Sequence, residues 1–124
     1  MPFRILLVED EPVIRELVRS MLGDASVTVD CASNGVEGLK MARSETYQLI
    51  LLDVVLPQLD GISVCRMLKA DVRTAQAPLY MLTAKAKKSD VDTALRAGAN
   101  GYIQKPFRGA ELMDLVARLK PASS

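Results

Sequence analysis

The sequence contains no histidine among its 124 residues. That absence excludes Ser-His-Asp and Cys-His nucleophilic sites, histidine-ligated zinc and a neutral imidazole base together. Chemistry in this chain must run on carboxylates, lysine or hydroxyl groups. Tryptophan is also absent and aromatic residues make up only 4%, too few for a base-stacking surface. The two cysteines, Cys31 and Cys65, follow neither C-x-x-C nor zinc spacing, which excludes a disulfide framework and reads as a reduced, cytoplasmic protein. Sixteen basic against fifteen acidic residues leave a net charge of +1 without a long block of one sign, so no direct nucleic-acid binding is expected. Long hydrophobic runs are missing as well: residues 5–8 and 49–52 are each stopped by a carboxylate, far short of the ~20 apolar residues of a membrane span. Neither a signal segment nor a membrane anchor is expected.

What is present is enough for one compact domain, with 49% hydrophobic and 25% charged residues. We place it at residues 3–120, with Pro121-Ala122-Ser123-Ser124 a tail or the start of a linker. Residues 4–8 read as a strand that ends in Glu9-Asp10-Glu11-Pro12, and Pro12 suits the first turn of a helix striped by Val13, Leu17, Met21 and Leu22. Val27, Val29 and Cys31 alternate as a strand does, Ser33-Asn34-Gly35 marks a turn, and Val36, Leu39 and Ala42 or Arg43 sketch a second, amphipathic helix. Residues 49–52 are apolar throughout and end at Asp53. A loop through Pro57 and Asp60-Gly61 leads to a third helix with Ile62, Cys65, Leu68 and Lys69, and Pro78 opens a fourth strand ending at Thr83. Ser89 is the expected N-cap of a fourth helix closed by Gly98. Tyr102-Ile103 is a short fifth strand, followed by Lys105-Pro106-Phe107 and a last helix carrying Leu112, Leu115, Val116 and Leu119. The methionines read as core filler, and the cysteines as small buried hydrophobes.

Strict strand–helix alternation predicts an α/β fold, a doubly wound parallel sheet with helices on both faces. Sites in such folds lie at the carboxyl ends of the strands. Glu9, Asp10, Asp53, Thr83 and Lys105 all stand there. Three converging carboxylates need a cation, and a hard divalent metal together with Lys105 would neutralise them. A carboxylate can also attack phosphorus to form an aspartyl phosphate, with metal, lysine and a threonine hydroxyl holding the transferring group.

Over essentially its whole length, through LLVEDEP, LLDVVLPQLDG, MLTAKA and GANGYIQKPF, the chain resembles a response-regulator receiver domain of two-component phosphorelay signalling. That resemblance implies a flavodoxin-like five-stranded sheet of order 2-1-3-4-5, an order for which a chemotaxis receiver is a known case. It further implies a regulatory switch rather than a turnover enzyme, with Asp53 as phosphoacceptor loaded from a histidine kinase or histidine phosphotransfer protein. Asp10, Asp53 and the Val55 backbone carbonyl match the ligands of Mg²⁺, which Mn²⁺ can replace, and Glu9 matches an acid acting through a metal-bound water. Lys105 matches the lysine that pairs with the phosphoryl group, with a cis bond to Pro106. Thr83 and Tyr102 match the switch pair. An effector domain or partner protein would read the switch through the face of the fourth helix, fifth strand and fifth helix.

Two departures from the family pattern stand out. Val55 and Lys85 occupy positions whose side chains flank the attacking water in receivers; Val55 cannot orient water and Lys85 can shield the phosphoryl oxygens, so a persistent phosphoryl state is expected. On the output face, Val91, Arg96, Asn100, Gly101, Leu115 and Ala117 mostly cannot form the acid–base pairs of head-to-head dimers. Two other function classes fit less well. A haloacid-dehalogenase-type phosphatase needs a second acid two residues after its nucleophile, where this chain has Val55. A nucleotide- or flavin-binding module needs a phosphate loop after the first strand, and Glu9-Asp10-Glu11-Pro12 repels phosphate.

Overall fold

A computed structural model describes residues 3–24, 26–84 and 88–120, with only the backbone described at Thr83 and 88–90. Lys85, the Thr83 hydroxyl and the tail at 121–124 therefore lie outside the described residues. The elements alternate as β1 (Phe3–Val8), α1 (Pro12–Leu22), β2 (Val27–Ala32), α2 (Gly35–Ser44), β3 (Leu49–Asp53), α3 (Gly61–Ala70), β4 (Leu79–Thr83), α4 (Lys88–Arg96), β5 (Gly101–Gln104) and α5 (Gly109–Leu119). All neighbouring strands are parallel, in the order β2-β1-β3-β4-β5.

The unbroken apolar runs of β1 and β3 follow from this order, because both strands are central and covered on both faces. Successive residues point to opposite sides. Ile5, Leu7, Leu49 and Leu51 pack with Val18 and Leu22 of α1 and Leu112, Leu115 and Val116 of α5. Leu6, Val8, Ile50 and Leu52 pack on the other side with Leu39 of α2, Val64 and Leu68 of α3 and Ala94 of α4. Side-chain caps start two helices: Asn34 Oδ1 accepts from Glu37 N at 2.8 Å, and Asp60 Oδ1 from Ser63 N at 2.9 Å. After α4 the chain turns at Gly98, whose φ of +108° suits glycine.

Several expectations are corrected. The buried stripe of α1 is Val18 and Leu22, with Ile14 and Met21 beside them, whereas Val13 is 76% exposed and Leu17 is exposed too. Both apolar sets have helical spacing, and only packing against β1 and α5 decides which one is buried. Val36 is likewise exposed, and α2 packs through Gly35, Gly38, Leu39 and Ala42 instead. Ser89 lies within α4 rather than at its cap. Among the methionines Met81 is core, but Met67 and Met113 are exposed; Cys65 is buried and Cys31 only partly so.

Candidate functional site

The register brings the carboxyl ends of β1, β3 and β4 level, pairing Val8 with Leu52 and Asp53 with Leu82. Glu9 continues the ladder past β1, its amide donating to Ala32 O at 2.9 Å. Its side chain is 0% exposed, an unusual burial for a carboxylate. Asp53, the last residue of β3, is 6% exposed and its Oδ1 accepts from Val55 N at 3.2 Å. Lys105 follows β5 and sends its ammonium into the same space. There it hydrogen-bonds Glu9, donates to Asp53 Oδ2 at 3.1 Å and stands 3.9 Å from Glu11. The Lys105–Pro106 peptide bond is cis.

Burial, and next the contact with Asp53, push the Glu9 carboxyl up to about 7 although Lys105 opposes this. Burial alone would lower the Lys105 ammonium, but its bond to Glu9 and the charge and bond of Asp53 outweigh it, and the group is held above its ordinary value. One ammonium thus serves a crowd of carboxylates. Oxygens of Glu9, Asp10 and Asp53 lie within 4.8 Å of one another. The donor set is all oxygen, which fits a hard divalent cation rather than a soft one. The Val55 carbonyl, beside this cluster in the chain, accepts no backbone hydrogen bond among the described residues.

The structure therefore gathers Glu9, Asp10, Asp53 and Lys105 in one place. Val55 contributes backbone only; its side chain is 74% exposed. Thr83 pairs with Gln104 by backbone one step beyond the partner of Asp53. Tyr102 is not part of the cluster: it is 43% exposed and lines a surface cavity of about 640 Å³ with Tyr80, Glu111 and Arg118. Sequence reasoning missed Arg15, whose Nη1 donates to the Glu9 carbonyl at 2.8 Å. Its signal is a cation at the fourth position of a helix, where the dipole disfavours positive charge. It also missed how tightly Gly61 approaches Asp53.

Comparison with known proteins agrees with this geometry. The family model described as the response regulator receiver domain matches residues 5–117. The chain is 39% identical over 116 residues to the DNA-binding dual master transcriptional regulator RpaA of a Synechocystis species, covering 94% of this chain and 48% of the relative. It is 39% identical over 120 residues to the response regulator MprA of Mycobacterium ulcerans, covering 97% of this chain and 50% of the relative. The chain thus spans about half the length of these relatives. Since one of them is a DNA-binding regulator, the expectation of no nucleic-acid contact gains no support. Among solved structures, the chemotaxis protein CheY4 of Vibrio cholerae superposes with a TM-score of 0.89 at 27% identity, covering 97% of this chain and 100% of that one. The receiver domain of a Pseudomonas aeruginosa sensor histidine kinase, with a magnesium ion coordinated in its active-site cleft, superposes with a TM-score of 0.87 at 36% identity, covering 96% and 98% of the two chains. No helix among the described residues is long and apolar enough to cross a membrane.

Proposed function

The chain belongs to the response-regulator receiver domain family of two-component signalling, and from that premise we propose that Asp53 accepts a phosphoryl group from a histidine kinase or histidine phosphotransfer protein. The observation that carries this reading is the buried Asp53 carboxylate at the end of β3, bonded to Lys105 and grouped with Glu9 and Asp10. An Asp53 oxygen forms the new O–P bond while the P–N bond of the partner's phosphohistidine breaks, and the bonding electron pair returns to the imidazole nitrogen. The chain has no histidine and so cannot be its own donor.

Asp10, Asp53 and the Val55 carbonyl would hold Mg²⁺ or Mn²⁺, and Glu9 would act on it through water. When bound, the divalent ion supplies positive charge to phosphoryl oxygens. Lys105, already aimed at Asp53, pairs with the transferred group, and Thr83 at the end of β4 supplies a hydroxyl. Phosphorylation adds about two negative charges, so Lys105 is drawn from Glu9 toward the phosphoryl oxygens. The resulting population shift is as large as the difference in how well two conformers hold that group. Thr83, Tyr102 and the α4-β5-α5 face are where it would be read, by an effector domain or a partner protein. Head-to-head acid–base pairing on that face is disfavoured: Leu115 is buried, and Asn100 Oδ1 is committed to Leu79 N at 2.9 Å and Lys69 Nζ at 3.3 Å.

The test is labelling with acetyl phosphate in Mg²⁺. Wild type is expected to incorporate one phosphoryl group and Asp53→Asn none. Undiminished labelling of Asp53→Asn at another residue would sink the assignment.

A further inference from the structure

Asp10 is exposed and makes no hydrogen bond or ion pair among the described residues. Its place within 4.8 Å of Glu9 and Asp53 is therefore set by its backbone rather than by a side-chain partner. That backbone hangs between two anchors. On one side, the Glu9 amide is tied to β2 through Ala32 O at 2.9 Å; on the other, the Arg15 Nη1 donor holds the Glu9 carbonyl at 2.8 Å. The Glu9 carbonyl belongs to the peptide group that joins Glu9 to Asp10. Fixing that group's plane constrains the backbone torsions on either side of it, and with them the directions in which the Glu9 and Asp10 Cα–Cβ bonds leave the chain. Among the described residues no other side chain bonds this peptide group. Glu11, the residue before α1, offers no side-chain cap, and its amide reaches Glu9 Oε2 only at 3.5 Å. Arg15 forms no ion pair with a carboxylate among the described residues, and the hydrogen bond shown for its guanidinium there is the one to this carbonyl.

We propose that Arg15 is a positioning residue for divalent-metal binding: by clamping the Glu9–Asp10 peptide it pre-sets both carboxylates, and it touches neither the metal nor the phosphoryl group. The inference rests on the Mg²⁺-dependent reading above. Groups that orient metal ligands are typically worth tenfold or more in affinity. Without the clamp, the Glu9–Asp10 peptide samples other orientations and binding must order it, so affinity falls while the loaded site stays intact. The prediction is a split between concentration dependence and maximal rate.

Arg15→Met keeps the aliphatic length and removes the donors, and Arg15→Lys keeps a cationic donor group. Mg²⁺ affinity is measured directly by calorimetry on unphosphorylated protein, and acetyl-phosphate labelling is followed across a Mg²⁺ series. Arg15→Met is expected to weaken Mg²⁺ about tenfold, to raise the half-saturating Mg²⁺ by the same factor and to leave the maximal labelling rate within twofold. Arg15→Lys is expected to recover part of the loss. Mg²⁺ affinity within twofold of wild type in Arg15→Met overturns the proposal, as does a lowered maximal rate at unchanged half-saturation. A lowered melting temperature with unchanged affinity also overturns it, because the role would then be structural only. If Arg15→Met does not fold, Arg15→Leu, which also removes the donors, decides: affinity within twofold of wild type overturns the proposal and a loss of about tenfold supports it. Wild type that neither binds Mg²⁺ nor labels would instead refute the parent reading, and the two failures are thereby distinct.

Discussion

Val55 stands two residues beyond Asp53, the proposed phosphoacceptor, with a branched apolar side chain turned to solvent, 74% exposed. Such a group offers no hydrogen bond to a water approaching Asp53. Val55→Asn places an amide there, and orienting the attacking water is expected to shorten the phosphoryl lifetime by roughly tenfold, about 1.4 kcal/mol of barrier. Lys85→Ala, which removes a positive charge two residues after Thr83, is expected to shorten it as well. Decay of labelled protein after removal of acetyl phosphate measures both, and unchanged decay in both variants would take these positions out of the control of lifetime. Lys105 carries a different expectation. It is the only ammonium bonded to the buried Glu9 and Asp53 among the described residues. Lys105→Met leaves that cluster without its cation, a loss of about 2–3 kcal/mol by the order expected for breaking a partly solvent-open buried pair. Urea denaturation in EDTA should show the deficit, and excess Mg²⁺ should offset part of it, because an ion that binds only the folded site stabilises it. A deficit that Mg²⁺ leaves untouched would mean that Lys105 and the metal do not share these carboxylates.

The junction of β3 with α3 is where element geometry and the site meet most closely. A Cβ on Gly61 would lie 2.0 Å from the Asp53 carbonyl oxygen and 2.8 Å from Val54 Cα. Those are backbone atoms and cannot step aside as a side chain would. Gly61→Ala must therefore push the start of α3 away from the end of β3. We expect a loss of about 2 kcal/mol or more in urea denaturation. We also expect reduced acetyl-phosphate labelling at saturating Mg²⁺ in the folded fraction, since the atom most crowded is the carbonyl oxygen of Asp53 itself. A stability loss with full labelling would show that this contact serves packing alone. In the sequence, Gly61 reads only as half of an Asp-Gly turn, because close approach between chain segments leaves no local pattern. The strands were legible for the opposite reason: an unbroken run such as residues 49–52 needs cover on both faces, and a central parallel strand has it. Helix faces were less legible, as α1 shows. Val13 and Leu17 have the same spacing as Ile14 and Val18, and the choice between the two sets is made by β1 and α5, not by α1. Within the site, the carboxylates were legible from their place at strand ends. Arg15 was not, because its partner is a backbone carbonyl that a sequence does not display.

Across the whole molecule the sheet is polar, with the acidic site at its carboxyl end and a separate clasp toward its amino end. There Arg4 of β1 donates through Nη2 to Asp30 Oδ2 of β2 at 2.9 Å, and the Tyr47 hydroxyl donates to the same oxygen at 2.8 Å. Arg4 also reaches Glu45 at 2.9 Å and lies 5.6 Å from the centre of the Tyr47 ring. No sequence pattern links these residues, which the β1–β2 pairing and the turn into β3 bring together. Burial first, and then the hydrogen bond to Asp30, raise the Tyr47 phenol well above its ordinary value of 10, despite the opposing charge of Arg4. For an acid whose folded value is raised, the stabilising contribution is fully present below the unfolded value, near pH 10, and is lost as pH climbs beyond it. Tyr47→Phe removes the hydroxyl, so at pH 8 it is expected to cost about 1 kcal/mol for the lost hydrogen bond. At pH 11 that cost should shrink, because wild type then forfeits the same contribution and the variant has none to lose. Urea denaturation of both proteins at the two pH values measures the convergence, and stability curves that stay parallel would remove Tyr47 from the alkaline limb. Because the clasp lies at the far end of the sheet from Asp53, acetyl-phosphate labelling of Tyr47→Phe at pH 8 should match wild type. A drop in labelling would mean that the two ends of the sheet are energetically coupled.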